Sequence, residues 1–334
     1  MDTKSLNEFR QDLVSGEWVL FMTGRSHSLR GDEFKDFYQT KRECPFENLL
    51  ESGQEVIWQY PDVNNLFATL IKNKYPAVRS GLCTTEQSVG PFKIFDPIGD
   101  HEVIVYQDHD HGIYKFSLAE LEQTVKVYKK RFAELVEKSE CAKYILIFHN
   151  QGKSAGASVY HSHSQIITMP ILPPDVFRSV NGSFQYYKDH KKKVYAELLE
   201  WEQKERKRIV YENKEFIVFC PYVSKYPYEL RIFSKEGHAH FHQMPDSSDE
   251  FFADAVFTAF QKMKVALDSP PFNMFIHTAP LTDEFGVHLH EFYHWHMEIV
   301  PHLKIDAGVE IGTGVAINVV DPDECAEVYR NAKV

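Results

Sequence analysis

The chain says the same thing twice, and that internal repeat limits its fold more than any other feature. Lys74-Tyr75-Pro76 stands ahead of the β-rich stretch His101–Tyr106, and Lys225-Tyr226-Pro227 stands ahead of Tyr228–Phe233. Ser117 and Glu120 form a capping-box signature before Leu118, Leu121, Val125, Tyr128, Phe132 and Leu135, whose three- and four-residue spacing predicts an amphipathic helix. Ser247 and Glu250 do the same before Phe252, Val256, Ala259, Met263 and Ala266. The apolar strand Tyr144–Phe148 follows the first helix and Phe272–His277 the second, and each leads to a strand opening on His-x-His: His161-Ser162-His163 and His294-Trp295-His296. Each half therefore predicts β-β-α-β-β. The expected class is α+β, two halves each made of an antiparallel sheet with packed helices and joined as a pseudo-repeat, with residues 1–190 in one half and 191–334 in the other.

The two copies differ where chemistry would be expected. The first His-x-His follows Asn150, a loop of small residues containing Gly156 and Ser158, and is followed by Gln165. Residues two apart on a strand share a face, so His161, His163 and Gln165 point the same way, behind a loop whose small side chains let its backbone approach a phosphate. Gly152-Lys153-Ser154 is no P-loop, because Ile147 stands where the first glycine is required. The second copy lacks the Asn, Gly, Ser and Gln companions, and reads as scaffold.

The run Asn150…Gly156-Ala157-Ser158…His161-Ser162-His163-Ser164-Gln165 resembles the active-site signature of the galactose-1-phosphate uridylyltransferase family, a branch of the histidine-triad superfamily that also holds ADP-glucose phosphorylase-like enzymes. The resemblance extends over nearly the whole chain, through Phe9–Arg25, Cys44-Pro45-Phe46 and Glu310–Gly314. It implies two histidine-triad-like halves and double displacement, in which His163 carries the nucleoside monophosphate between a nucleoside diphosphate sugar and a sugar 1-phosphate. A neutral imidazole suits that task when a hydrogen bond to its other nitrogen fixes the tautomer. Gln165 stands where the hydrolases of the superfamily carry a third His, which favours a transferase. Asn150, Gly156, Ser158 and Gln165 are the expected phosphate cradle. Arg25 and Arg30 match the family's basic loop, Asn73 is placed near the base, and Glu310 is the residue expected to read a hexose hydroxyl, with Glu298 a second choice. The alternatives are a phosphorylase or hydrolase of nucleoside diphosphate sugars or dinucleoside polyphosphates, and a non-catalytic nucleotide-sugar sensor.

The same resemblance implies a zinc site made from Cys-x-x-Cys, a later His and the first His of the pair. Here Cys44 is followed by Glu47 at the second position, so the expected set is Cys44, Glu47, His161 and either His109 or His111. A second site for zinc or iron is expected at His277, His294 and His296, with a carboxylate from Glu197, Glu200 or Glu202. Relatives that build each site with help from a second subunit make a homodimer the expected assembly.

Composition narrows the partners. A chain of 334 residues, 43% hydrophobic and 25% charged, has room for one large or two modest cores. Its net charge of −11 argues against nucleic acid, which needs clustered Lys and Arg. Cys44, Cys83, Cys141, Cys220 and Cys325 are scattered and odd in number, so no disulfide framework is expected. The opening residues lack an apolar signal region and no run approaches ~18 apolar residues, which predicts a cytoplasmic protein with no membrane partner.

Overall fold

In the computed structural model the described residues are 7–24, 29, 38–282 and 289–334. The N-terminal half runs β1 (Asn7–Gln11), β2 (Trp18–Met22), β3 (Val56–Tyr60), β4 (Ala68–Lys72), the hairpin β5 (Gln87–Val89) and β6 (Phe92–Ile94), β7 (His101–Tyr106), α1 (Leu118–Lys138), β8 (Tyr144–Gln151), β9 (His163–Met169) and α2 (Pro174–His190). The C-terminal half runs α3 (Val194–Glu205), β10 (Ile209–Glu212), β11 (Phe216–Phe219), β12 (Leu230–Ser234), α4 (Asp249–Leu267), β13 (Phe272–His277), β14 (His296–Pro301), α5 (Gly308–Thr313), β15 (Ala316–Asn318) and α6 (Pro322–Asn331).

Ten strands form one antiparallel sheet in the order β10-β11-β12-β14-β13-β8-β9-β7-β4-β3. The order mirrors itself about the seam where β13 pairs with β8, from Phe272 opposite Gln151 to Ile276 opposite Ile147. The repeat is therefore real, and its halves are fused edge to edge. Each half carries three sheet strands before its helix rather than the expected two. The additional ones, β3 and β10, are the sheet's edges, and each has a register shift near its start, at Val56/Trp58 and Ile209/Tyr211. Such irregularities break the two-residue period by which a strand is recognised and blunt an exposed edge.

One face of the sheet packs on α1 and α4. Ile104, Ile147, Ile166, Ile232, Ile276 and Ile299 meet Leu121, Val125, Phe132, Phe252, Val256 and Phe260 in the main core. Phe132 is fully buried, and truncating such a side chain to Ala costs about 3–5 kcal/mol. The α1 capping box forms as read: Ser117 Oγ accepts from Glu120 N–H and Glu120 Oε2 accepts from Ser117 N–H at 2.7 Å. The one expected at Ser247 does not. The helix begins after Ser248, which makes no side-chain cap, while Lys129 of α1 reaches Asp246 and Asp249 at 2.6 and 2.8 Å. A tertiary ion pair through the neighbouring Asp246 and Asp249 thus anchors the start of α4 instead.

Residues on the opposite face carry the chemistry. Alternation along β9, β8, β13, β14 and β12 aligns His163 and Gln165 with Phe148, Asn150, Asn273, Phe275, His277, His296, Glu298 and Arg231. In the C-terminal half α2 and α3 pack over this face through Val176, Val180, Tyr195 and Leu199 against Phe219 and Phe233. In the N-terminal half a small cluster of Ile71, Val103 and Val105 takes Phe46 and Leu49.

The expectation of no disulfide is corrected. Cys83 and Cys141 are bonded, with Cα atoms 5.5 Å apart across 58 residues of sequence. The segment after Arg79 returns to the end of α1, a proximity that cysteine spacing alone cannot reveal. Among the described residues no helix is long and apolar enough to cross a membrane.

Candidate active site and metal centre

His163 opens β9, where burial and the strand's neighbours fix its ring. Its Nδ1–H donates to the carbonyl of His161 at 2.9 Å, which leaves Nε2 as the lone-pair nitrogen. Burial lowers its pKa from 6.5; the bond to the His161 carbonyl opposes that shift, and the His161 imidazole adds weakly to it. The imidazole is therefore neutral at pH 7, as a nucleophile must be. Phe46 meets the ring edge-on at 5.2 Å.

His161 lies just before the strand rather than on it, and its ring turns to a second cluster. His161 Nε2–H donates to Tyr106 O at 2.6 Å and His109 Nε2–H to Gln39 O at 2.7 Å. Both tautomers are thereby set so that the Nδ1 lone pairs face inward. Glu47 Oε1 lies 3.3 Å from His109 Nδ1 and 3.4 Å from His161 Nδ1, and Cys44 Sγ lies 3.6 Å from His161 Nδ1. A tetrahedral zinc with bonds of about 2.0 Å to N or O and about 2.3 Å to S spaces its ligand atoms roughly 3.3–3.6 Å apart. His109 Nδ1 is buried without a hydrogen-bond partner, an orphan that a metal would satisfy. Cys44, His109 and His161 bring one ligand atom each within 4.8 Å of one another, with Glu47 beside the two imidazoles, and these donors fit the ion. His111 does not join it; its Nε2 lies 3.1 Å from Glu120 and its ring stacks on Phe116.

The loop after β8 is held from the other half. Asn273 Nδ2 donates to Asn150 Oδ1 at 2.7 Å and to Ala155 O at 2.8 Å, and His302 Nε2–H donates to Asn273 Oδ1. Asn150 keeps its amide N–H groups for a ligand. Gly152 and Gly156 both have φ of +86°, and a Cβ on Gly152 would stand 2.7 Å from Pro271 Cβ, so the loop requires glycine at both. Ser158 is exposed on it. Continuing the β8–β9 register, in which His149 faces Ser164, puts Asn150 opposite His163. Gln165 is half-buried on the same face, with Oε1 3.0 Å from His101 Nε2, and Asn73 Nδ2 approaches the same nitrogen at 3.2 Å.

The second expected metal cluster forms with different members. His277 Nε2 and His296 Nε2 lie 3.4 and 3.6 Å from the Glu298 carboxylate. His294 is not among them; its Nε2 meets Ser234 Oγ at 3.0 Å. The carboxylate comes from the same strand rather than from α3, where Glu202 is buried against Arg208. Glu298 also accepts from Arg231 Nε at 2.9 Å, so it is not free to read a sugar. Glu310 is committed to Lys304 and, at 3.2 Å, to the N–H of Ala307. Arg25 and Arg30 lie outside the described residues. Phe46, His101, Asn273 and His302 were not anticipated. They act through contacts 28 to 123 residues apart, for which the sequence carries no local signal.

A mirrored antiparallel sheet that offers one neutral, tautomer-fixed histidine beside a glycine-bearing loop defines a histidine-triad-like nucleotidyltransferase. The chain belongs to the galactose-1-phosphate uridylyltransferase family: residues 3–173 match the family model of the galactose-1-phosphate uridyl transferase N-terminal domain and residues 180–319 that of the C-terminal domain. It is 30% identical to an ADP-glucose phosphorylase of Arabidopsis thaliana over 98% of this chain and 93% of that one. It is 29% identical to a galactose-1-phosphate uridylyltransferase of Thermotoga maritima over 98% and 99%. The crystal structure of an Arabidopsis thaliana ADP-glucose phosphorylase with bound ADP-glucose superposes with a TM-score of 0.83 at 28% identity, covering 98% of this chain and all of that one.

Proposed function

We propose that the chain moves a nucleoside monophosphate from a nucleoside diphosphate sugar to a hexose 1-phosphate through a covalent adduct on His163. The observation that carries this reading is the single bond from His163 Nδ1–H to the His161 carbonyl, which presents Nε2 for attack. In the first step Nε2 forms a bond to the α-phosphorus while the bond to the bridging oxygen breaks and sugar 1-phosphate leaves with that electron pair. In the second, a phosphate oxygen of the acceptor attacks the same phosphorus and Nε2 departs, which restores the free enzyme. A sugar 1-phosphate needs no proton to leave, so Gln165 in place of an acid is consistent with transfer. Asn150, Gly156, Ser158, Gln165 and Asn73, with Arg25 and Arg30, form the proposed cradle.

Zinc at Cys44, Glu47, His109 and His161 would supply rigidity, because it pins the residue whose carbonyl orients His163. The second cluster, two imidazoles and a carboxylate, suits zinc or iron but shares Glu298 with Arg231. Metal analysis counting ions per chain decides between one site and two. The proposed halves divide at residues 190 and 191, between α2 and α3, and the assembly is a homodimer. The proposed compartment is the cytoplasm, where disulfides are rare. Thiol titration of freshly isolated, denatured protein should find three thiols, from Cys44, Cys220 and Cys325, and a count of five would show Cys83 and Cys141 reduced in that compartment.

The test of function is incubation with UDP-glucose or ADP-glucose without acceptor. One nucleoside monophosphate per active subunit should remain bound, and His163→Ala should remove it. No mass increase with any nucleotide sugar defeats the covalent reading. The Arabidopsis relative favours a second version, in which ADP-glucose is the donor and inorganic phosphate the acceptor. Release of ADP from the adduct by phosphate identifies it.

A further inference from the structure

We infer that His101 is a positioning residue that sets which end of the Gln165 amide faces the substrate phosphate. The inference rests on the reading of His163 as the nucleophile of phosphoryl transfer. It begins with the turn after β4. The N–H of Ala77 donates to His101 Nδ1 at 3.1 Å. A backbone N–H can only donate, so Nδ1 must be bare, and in a neutral imidazole the proton must then sit on Nε2. Burial lowers the pKa of His101 from 6.5 and keeps it neutral.

The Nε2–H has an acceptor in Gln165 Oε1 at 3.0 Å. This bond has a consequence for function. A glutamine amide presents oxygen or nitrogen to the same point after a half-turn about its last torsion, and the two ends have opposite polarity. Oxygen toward a phosphate repels it, whereas nitrogen donates to it. By holding Oε1, His101 leaves only the NH2 group to face the phosphoryl oxygens beside His163.

The same tautomer governs a second amide. Asn73 Oδ1 accepts from Tyr75 N–H at 2.9 Å, which identifies Nδ2 as the atom 3.2 Å from His101 Nε2. With Nε2 protonated, that contact offers no acceptor, so the Asn73 N–H groups are also left for a ligand. The turn that delivers Ala77 is the one built on Lys74-Tyr75-Pro76. One backbone N–H thus fixes the imidazole that orients Gln165.

The decisive experiment is a double-mutant cycle on the full chain, read as the single-turnover rate of nucleotide transfer to His163. His101→Phe keeps the ring and removes both nitrogens. It should slow adduct formation about tenfold, less than the loss expected on removing a phosphate donor outright, with nucleotide-sugar affinity changed less than twofold. In a Gln165→Ala background the same substitution should change the rate by less than twofold. Equal slowing in both backgrounds, or none in the first, overturns the inference. Nitrogen-15 NMR of the wild-type imidazole provides a test independent of folding and activity: the Nε2–H tautomer is expected, and an Nδ1–H tautomer overturns it. If the wild type forms no adduct, the nucleophile reading fails while the NMR result still judges His101.

Discussion

His163 and His296 occupy the same place in the two mirrored halves, and the backbone treats them identically. Each opens the last strand that its half contributes to the ten-stranded sheet, and each donates Nδ1–H to the carbonyl two residues earlier, at 2.9 Å to His161 O and at 3.0 Å to His294 O. What surrounds the other nitrogen differs. His163 shares its face with the neutral side chains Gln165 and Asn150, whereas His296 faces Glu298, with Arg231 and His277 beside it. The orienting residues differ in the same sense. A neutral imidazole holds Gln165, while a guanidinium holds Glu298. Even the matching turns serve different ends: Ala77 N–H goes to His101, but Lys225 and Tyr226 N–H go to the carboxylate of Glu229. Orientation of the imidazole therefore belongs to the fold, and reactivity belongs to its neighbours. The carboxylate of Glu298 would oppose an anionic phosphate, whereas the amide of Gln165 can donate to one.

The strongest challenge to that asymmetry is to remove each histidine in turn. His163→Ala should lower nucleotidyl transfer by on the order of 10⁴-fold or more, the scale seen when a covalent nucleophile is deleted. His296→Ala should leave the adduct intact. Loss of adduct in a folded His296→Ala protein would break the assignment of chemistry to one half alone. The next effect in size is on metal. Cys44→Ser should deplete zinc, lower thermal stability and slow adduct formation together, since His161 links the ion to the carbonyl that orients His163. Elemental analysis, a melting curve and the adduct assay separate these, and full activity in zinc-free protein would show that packing alone holds His161.

The elements that were legible in sequence are those whose signal is local. The α1 cap, the apolar periods of both helices and β13 are found where the spacing puts them. Cys44, Glu47 and His161 could be grouped because a family resemblance supplied the spacing, but choosing His109 over His111 needed the coordinates, since both lie in one short loop. The remainder depends on register across strands far apart in sequence. Asn273 reaches Asn150 only because β13 pairs with β8, and Glu298 rather than an α3 carboxylate joins His277 because strand alternation puts it on that face. His294 was expected among the ligands from the family resemblance. Its partner is Ser234, supplied by β12. A one-residue slip in any of these pairings would turn the whole set to the other face, and no short window of sequence records it.

Two smaller predictions sharpen the comparison. Glu298→Gln puts the N-terminal half's residue into the C-terminal half and should cost less than the ~3–5 kcal/mol lost when one partner of a fully buried ion pair is removed, because this pair is only partly buried. Arg231 keeps Glu229 as a second partner at 3.0 Å, which lowers the cost further. Chemical denaturation measures it, and a neutral result would mean that Arg231 is served by Glu229 alone.

The smallest difference concerns the two long helices. Ser117→Ala deletes one half of the α1 capping box, the hydroxyl that accepts from Glu120 N–H, while the backbone N–H of residue 117 can still donate to Glu120, and should destabilise by about 1 kcal/mol. Ser248→Ala at the start of α4 should cost less than about 0.5 kcal/mol, as its side chain caps nothing. The anchor of α4 is instead Lys129 with the buried Asp249. Asp249→Asn should therefore exceed both serine changes, since it leaves a buried ammonium facing an uncharged amide while Asp246, which is exposed, offers only a screened substitute. If Ser248→Ala proves as costly as Ser117→Ala, a local cap operates in both halves, one residue on from the Ser247 expected from sequence, and the tertiary pair is an addition to it rather than its replacement.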